Sequence, residues 1–263
     1  MARVRRLRWL GPQPRALAQR DMLYHRVISA LGQPECPLCY LRNEAVHRYL
    51  DDALYEQVND PGLRHTLDLS RGFCREHAWA LIRLGDSLAA AILYQDQVAL
   101  AQEAIREVQR VGGPQRHGTR GARGGARRVW LVELLRRRRV AQVPCPACQI
   151  AREAEDRYVS TLLRHLDDAD MVAAMNRSSF LCLPDLLITL DGAATVAQAC
   201  RLLEIADAKL TALRGELGEL IRKRDYRFQD EPRGHEQTSW VRAVGQLVGW
   251  PLADHQRGRT GSR

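Results

Sequence analysis

The sequence predicts an all-α protein. Apolar residues recur at helical spacing through most of the chain, and no segment alternates apolar and polar residues as a half-buried strand would. In addition, the stretch Cys36 to His77 is written a second time as Cys145 to Asp185. A repeat of this size implies a duplicated structural unit and precedes any element-by-element reading.

The repeat is carried by cysteine pairs and by the text between them. Cys36-Pro-Leu-Cys39 is followed by Cys74-Arg-Glu-His77, and Cys145-Pro-Ala-Cys148 by Cys182-Leu-Pro-Asp185. Glu44, Ala45, Arg48, Tyr49 and Leu54 recur as Glu153, Ala154, Arg157, Tyr158 and Leu163, all at an offset of 109 residues. Two related helical repeats are expected, each with its own cysteine knuckle, followed by a long C-terminal helix.

Pro14 to Leu31 reads as a first helix, ended by Gly32 and Pro34. Leu38 to Val58 is the second, with Leu41, Ala45, Tyr49 and Ala53 on one side. Asp60-Pro61-Gly62 ends it and opens a short helix from Leu63 to Leu69, and Arg75 to Leu84 is helical again. Ser87 is read as the cap of a long helix through Arg110, with Leu88, Ile92, Val98 and Ile105 as its apolar stripe. Gly112 to Gly125 has no hydrophobic period and reads as a linker. Val129 to Val140 is helical, Ala147 to Leu166 repeats the second helix and Asp167 to Met175 the short one. Ala193 to about Tyr226 forms one long helix, with Cys200 as a core residue. Ser239 caps a last helix from Trp240 to Val248, ended by Gly249 and Pro251. The domain organisation is a basic leader (1–13) expected to be disordered, a first repeat (14–111), a Gly/Arg-rich linker (112–128), a second repeat with C-terminal helices (129–250) and a disordered basic tail (251–263).

The net charge of +9 is unevenly placed. Residues 1–20 hold six Arg, residues 113–139 nine Arg against Glu133, and residues 256–263 three, so these segments carry +17 and the remainder −8. The folded body is acidic, whereas a nucleic-acid reader clusters its cations on a structured face. Residues 113–139 retain the option of contacting phosphates non-specifically, without the aromatic residues of a stacking surface. The leader lacks the apolar core of a secretory signal, and no apolar run approaches the ~20 residues of a membrane span. A cytoplasmic location with no membrane contact is expected, which favours metal ligation over disulfides for paired cysteines.

Cys36, Cys39, Cys74 and His77 make a Cys3His set, a recurring structural donor set of zinc(II). Cys145, Cys148, Cys182 and Asp185 make a second set in which a carboxylate replaces imidazole. There, Asp185 is the fourth donor, or the position stays open as in catalytic zinc sites, or the metal has been lost; His165 is a further possible donor. An iron–sulfur cluster and a dithiol redox pair are the alternatives to zinc.

Glu35-Cys-Pro-Leu-Cys39, Gly72-Phe-Cys-Arg-Glu-His77, Leu84-Gly85 and Ala91-Ile-Leu-Tyr94 resemble a bacterial family known as domain of unknown function 6062. The resemblance implies a cysteine/histidine helical domain and brings no activity with it. His235 with Glu231 or Glu236 offers acid–base chemistry, but a salt-bridge network with Trp240 packed beneath is the simpler reading. The expected protein is a non-enzymatic zinc-binding helical protein with a binding or regulatory role, for which a protein is one candidate partner. A metal- or thiol-dependent enzyme using the second cysteine set is the alternative, and nucleic-acid association through the Arg-rich linker a third reading.

Overall fold

Side-chain caps set where several of the helices begin in the computed structural model, which describes residues 20–112, 122–228 and 230–252. Helix α1 (Met22–Leu31) starts after Asp21, whose carboxylate accepts the Tyr24 N–H, so it begins later than the expected Pro14. After α2 (Pro37–Tyr55), Asp60 accepts the Leu63 N–H at 2.7 Å and opens α3 (Pro61–Ser70). Helix α4 (Arg75–Arg83) precedes α5 (Ser87–Gly112), which Asp86 caps through the Ala89 N–H; Ser87 lies inside the first turn instead. Such caps each contribute about 1 kcal/mol.

Helix α6 (Ala122–Arg138) takes in the end of the stretch expected to be linker. It is followed by α7 (Pro146–Arg164), α8 (Ala169–Arg177), α9 (Leu183–Asp191), α10 (Val196–Arg222, capped by Thr195) and α11 (Ser239–Val248). Ser239 does not cap α11: Thr238 holds that position, and Ser239 is buried inside the helix. Short 3-10 turns cover Tyr226–Phe228 and His235–Thr238. Among the described residues there is no strand, as the sequence predicts. The basic leader, residues 113–121 of the linker and the tail from residue 253 lie outside the described residues.

Helices α2 and α7 form the centre of the molecule, packed on each other more extensively than any other pair. They run antiparallel, as the two core clusters show. One joins Leu38 and Leu41, near the start of α2, to Ala154, Tyr158 and Leu162 in the later part of α7, together with α1, α8 and Leu186 of α9. The other joins Val46, Leu50 and Leu54, late in α2, to Ala147 at the start of α7, together with α3, α4 and the start of α5. Each cluster therefore draws on both copies of the repeated text.

Helix α5 buries a different face from the one expected, while α10 buries part of its expected face. On α5, Leu88, Val98 and Ile105 are exposed while Ala89, Ala90, Leu93 and Ala104 are buried. On α10, Leu202, Ala206 and Leu213 face the core, and Cys200 and Leu203 face outward. Successive helical residues lie about 100° apart, so a choice between neighbouring apolar stripes turns the helix by one position. Small residues won on α5 because they admit close approach of its neighbours. Trp240 is also exposed rather than packed beneath the polar network that it follows.

Candidate metal centres

Four helix starts carry the eight candidate ligands. Cys36, Cys74, Cys145 and Cys182 are the N-cap residues of α2, α4, α7 and α9, and none spends its sulfur on a capping hydrogen bond. Cys39, His77, Cys148 and Asp185 sit three residues later, in the first turn. The x2 spacing thus becomes an N-cap and N3 pair, whose side chains project from the same helix end. Pro37 and Pro146 suit the first helical position, where the missing N–H is unused anyway. The partial positive charge at each helix start favours thiolate or carboxylate.

The pairing differs from the one expected within each repeat. Cys74 and His77 meet Cys145 and Cys148, while Cys36 and Cys39 meet Cys182 and Asp185; in each group the donor atoms all lie within 4.8 Å of one another. The reason is the antiparallel central pair. A 19-residue helix is about 28 Å long, so Cys36 at the start of α2 is far from its end, where α3 leads back to Cys74. The start of α7 lies beside that end, and Cys145 takes the place that Cys36 was expected to fill. The same geometry brings Cys182 to the start of α2.

In the Cys74 group the Cys74 sulfur is 3.2 Å from His77 Nδ1 and 3.7 Å from the Cys148 sulfur. His77 Nδ1 is 3.4 Å from Cys148 and 3.6 Å from Cys145. Burial lowers the His77 pKa, which favours the neutral imidazole that ligates metal, and pushes Cys148 up to about 12. The three cysteines are partly exposed, and His77 and Cys148 border a cavity of about 300 Å³.

The Cys36 group is fully enclosed, with all four residues at 0% exposure. Asp185 Oδ2 lies 3.0 Å from both the Cys36 and Cys39 sulfurs, and Cys39 is 3.6 Å from Cys182. Hydrogen bonds from Cys182 and Cys36 hold Cys39 far below an ordinary thiol, aided by the Trp250 N–H at 3.4 Å, while burial raises Cys36. Burial and the nearby Cys39 charge raise Asp185 to about 6, against the opposing pull of Arg42. Arg42 was not foreseen. It binds Asp185 Oδ1 at 3.1 Å, Glu155 at 2.7 Å and the Cys39 sulfur at 3.3 Å.

Both groups are geometrically able to hold a metal ion. With metal–sulfur bonds near 2.3 Å and metal–nitrogen bonds near 2.0 Å, tetrahedral sulfurs stand about 3.8 Å apart and sulfur and nitrogen about 3.6 Å. The observed separations of 3.6 and 3.7 Å between sulfurs lie near those values, His77 Nδ1 stands 3.2, 3.4 and 3.6 Å from its three sulfurs, and Asp185 Oδ2, at 3.0 Å from Cys36 and Cys39, stands closer than a shared tetrahedral ion would set it. The sulfur separations are far beyond the ~2.05 Å of a disulfide, and none of the seven cysteines forms one. His165 belongs to neither group: it is buried edge-on against Tyr24, with ring centroids 4.8 Å apart.

The remaining polar candidates are engaged elsewhere. Glu236 is bound by the Gly234 N–H and by Lys223, and Glu231 by Arg222, while His235 faces Glu216 at 3.5 Å. They form the ion-pair network that the sequence suggested. Among the described residues, no helix is long and apolar enough to cross a membrane.

A profile described as "Family of unknown function (DUF6062)" matches residues 29–254, a span that contains all eight candidate ligands and both central helices. The chain belongs to the DUF6062 family. A similar protein is the "Uncharacterized 23.9 kDa protein in xynA 3'region" of Caldicellulosiruptor sp. (strain Rt8B.4), 27% identical over 227 residues, which cover 85% of this chain and 99% of that protein. No solved structure matches. What the sequence left invisible in this DUF6062 chain was the crossed pairing and Arg42. One signal for the latter exists: at the offset of 109, Arg42 falls on Ala151, so the substitution accompanies the exchange of His77 for Asp185.

Proposed function

We propose that this chain is a two-centre zinc protein in which the metals are structural and the folded body serves a binding or regulatory role. The observation that carries the reading is the crossing of the ligand sets: each four-donor cluster takes two donors from each copy of the repeat. A metal at either centre then fixes the start of α2 or α7 to a helix of the other copy, and the two centres together clamp the antiparallel pair at both ends. Four closed protein donors leave no coordination position for substrate, which supports a structural over a catalytic metal. Zinc suits mixed thiolate, imidazole and carboxylate sets without redox change. When bound, it supplies the attraction that holds three thiolates together at low cost; the chain supplies the helix starts that pre-orient them.

A binding role is supported by the surface of α11, where Trp240, Val244, Leu247 and Val248 are each more than half exposed. Phosphate contacts by the arginines of residues 113–139 remain a separate proposal, whose mark is steeply salt-dependent binding.

Metal analysis of the full chain tests the reading. Two zinc ions per chain are expected, colourless, with one lost in Cys74→Ser and the other in Cys182→Ser. Absence of metal from the wild-type protein, or a visible iron–sulfur spectrum, overturns it.

A further inference from the structure

The two centres differ in more than one ligand. Position 42 stands 109 residues before 151 and position 46 the same distance before 155, the offset that carries α2 (Pro37–Tyr55) onto α7 (Pro146–Arg164). Around the Asp185 centre these positions are Arg42 and Glu155, joined at 2.7 Å. Around the His77 centre their counterparts are Ala151 and Val46, which belong to the apolar cluster at that end of the molecule. All four residues border the cavity that His77 and Cys148 also line. Within one chain, a carboxylate ligand goes with an ion pair and an imidazole ligand with two apolar side chains.

Charge explains the association. A divalent ion with three thiolates and imidazole carries one negative charge; with carboxylate in place of imidazole it carries two. The second charge is placed where Asp185 is only 1% exposed and water cannot screen it. Arg42 lies against it on two sides, donating to Asp185 Oδ1 and to the Cys39 sulfur. The bond to Oδ1 leaves Oδ2, the oxygen facing the sulfurs, as the donor atom. Glu155 holds the guanidinium from the opposite side, and its carboxylate is more exposed than that of Asp185. Partners of this kind, which bind the ligand and not the metal, set ligand orientation and typically change metal affinity 10–100-fold.

Building on the two-centre reading, we infer that Arg42, oriented by Glu155, is the positioning residue that makes a carboxylate an acceptable fourth ligand at the buried centre, and that the identity of this pair decides between Asp and His there. Arg42 touches no metal. It acts through Asp185 and Cys39.

The test uses full-length protein loaded with cobalt(II), whose thiolate-to-metal absorption counts filled centres, with a competing chelator to rank affinity. In the parent, two cobalt ions bind. Arg42→Ala and Asp185→His, each alone, should weaken one centre about 10–100-fold, the second because a neutral ligand then faces an uncompensated guanidinium. The triple variant Arg42→Ala, Glu155→Val, Asp185→His recreates the surroundings of the His77 centre and should recover most of that loss. Unchanged affinity in Arg42→Ala, or a triple variant as weak as Asp185→His, overturns the inference. If Arg42→Ala does not fold, Arg42→Lys with Asp185→His serves instead: the retained charge must keep the centre weak, and full recovery would refute the role. A parent chain that binds one cobalt ion, lost in Cys74→Ser, refutes the two-centre reading itself.

Discussion

Cys39 and Cys182 are 143 residues apart in the chain, yet their sulfurs lie 3.6 Å apart. That approach places the starts of α2 and α9 side by side, as the antiparallel packing of α2 on α7 allows. The ligand groups and the packing of the central helices are one structural fact.

Paired serine variants distinguish crossed from uncrossed centres. Cys36→Ser with Cys74→Ser removes a ligand from each crossed group, so both metals should be lost. Cys74→Ser with Cys145→Ser damages a single group and should leave one zinc per chain. The reverse result would place each metal within one repeat. Zinc measured by atomic absorption after gel filtration decides it.

The two centres should differ in access. Cys74, Cys145 and Cys148 are partly exposed, whereas Cys36, Cys39 and Cys182 are at 0%. Thiol reagents and chelators reach exposed thiolates first. Timed alkylation with peptide mapping should label the first three cysteines early, along with the exposed Cys200, and the other three only on unfolding. Early labelling of Cys36 would contradict the enclosure described above.

Phe180 has φ of 64° with its ring fully buried, in the position that Gly72, with φ of 86°, holds before Cys74. A left-handed backbone costs a bulky residue about 1–2 kcal/mol, while loss of a buried ring costs about 3–5 kcal/mol. Phe180→Gly should therefore destabilise by about 2–3 kcal/mol despite relieving the backbone. Denaturant melts would show it, and a variant as stable as the parent would mean that the ring contributes little.

Glu236 is held at about 2 by the Gly234 N–H, then by Lys223. A carboxylate with a depressed folded pKa adds stability that is fully present above its unfolded value near 4.5 and lost as pH falls toward 2. Between pH 5 and 2 the melting temperature of the parent should fall more steeply than that of Glu236→Gln. Parallel curves would show that this carboxylate is not coupled to folding.

Much of the architecture was legible in sequence because it depends on local chemistry. Asp60 before Pro61, and the helical spacing of Leu38, Leu41 and Ala45, mark helix starts and faces without knowledge of the rest of the chain. The cysteine pairs were legible too, since an x2 spacing places N-cap and N3 side chains at one helix end. The stripe on α5 is not legible because several apolar faces compete, and only the neighbours that α5 meets select Ala89, Ala90 and Leu93 over Leu88 and Val98.

The sequence by itself determined a helical protein with four helix starts, each carrying two candidate metal-ligand side chains. Tertiary structure alone decided which starts meet. Spacing limits what a flexible chain could reach, and within either copy it permitted Cys36 to join Cys74. A rigid helix of 19 residues does not permit it, and its antiparallel partner supplies the missing pair from the other copy. Arg42 belongs to the same class of information: an exposed-looking arginine in the text of α2, it becomes the counter-charge of Asp185 only once α9 is brought to the start of that helix.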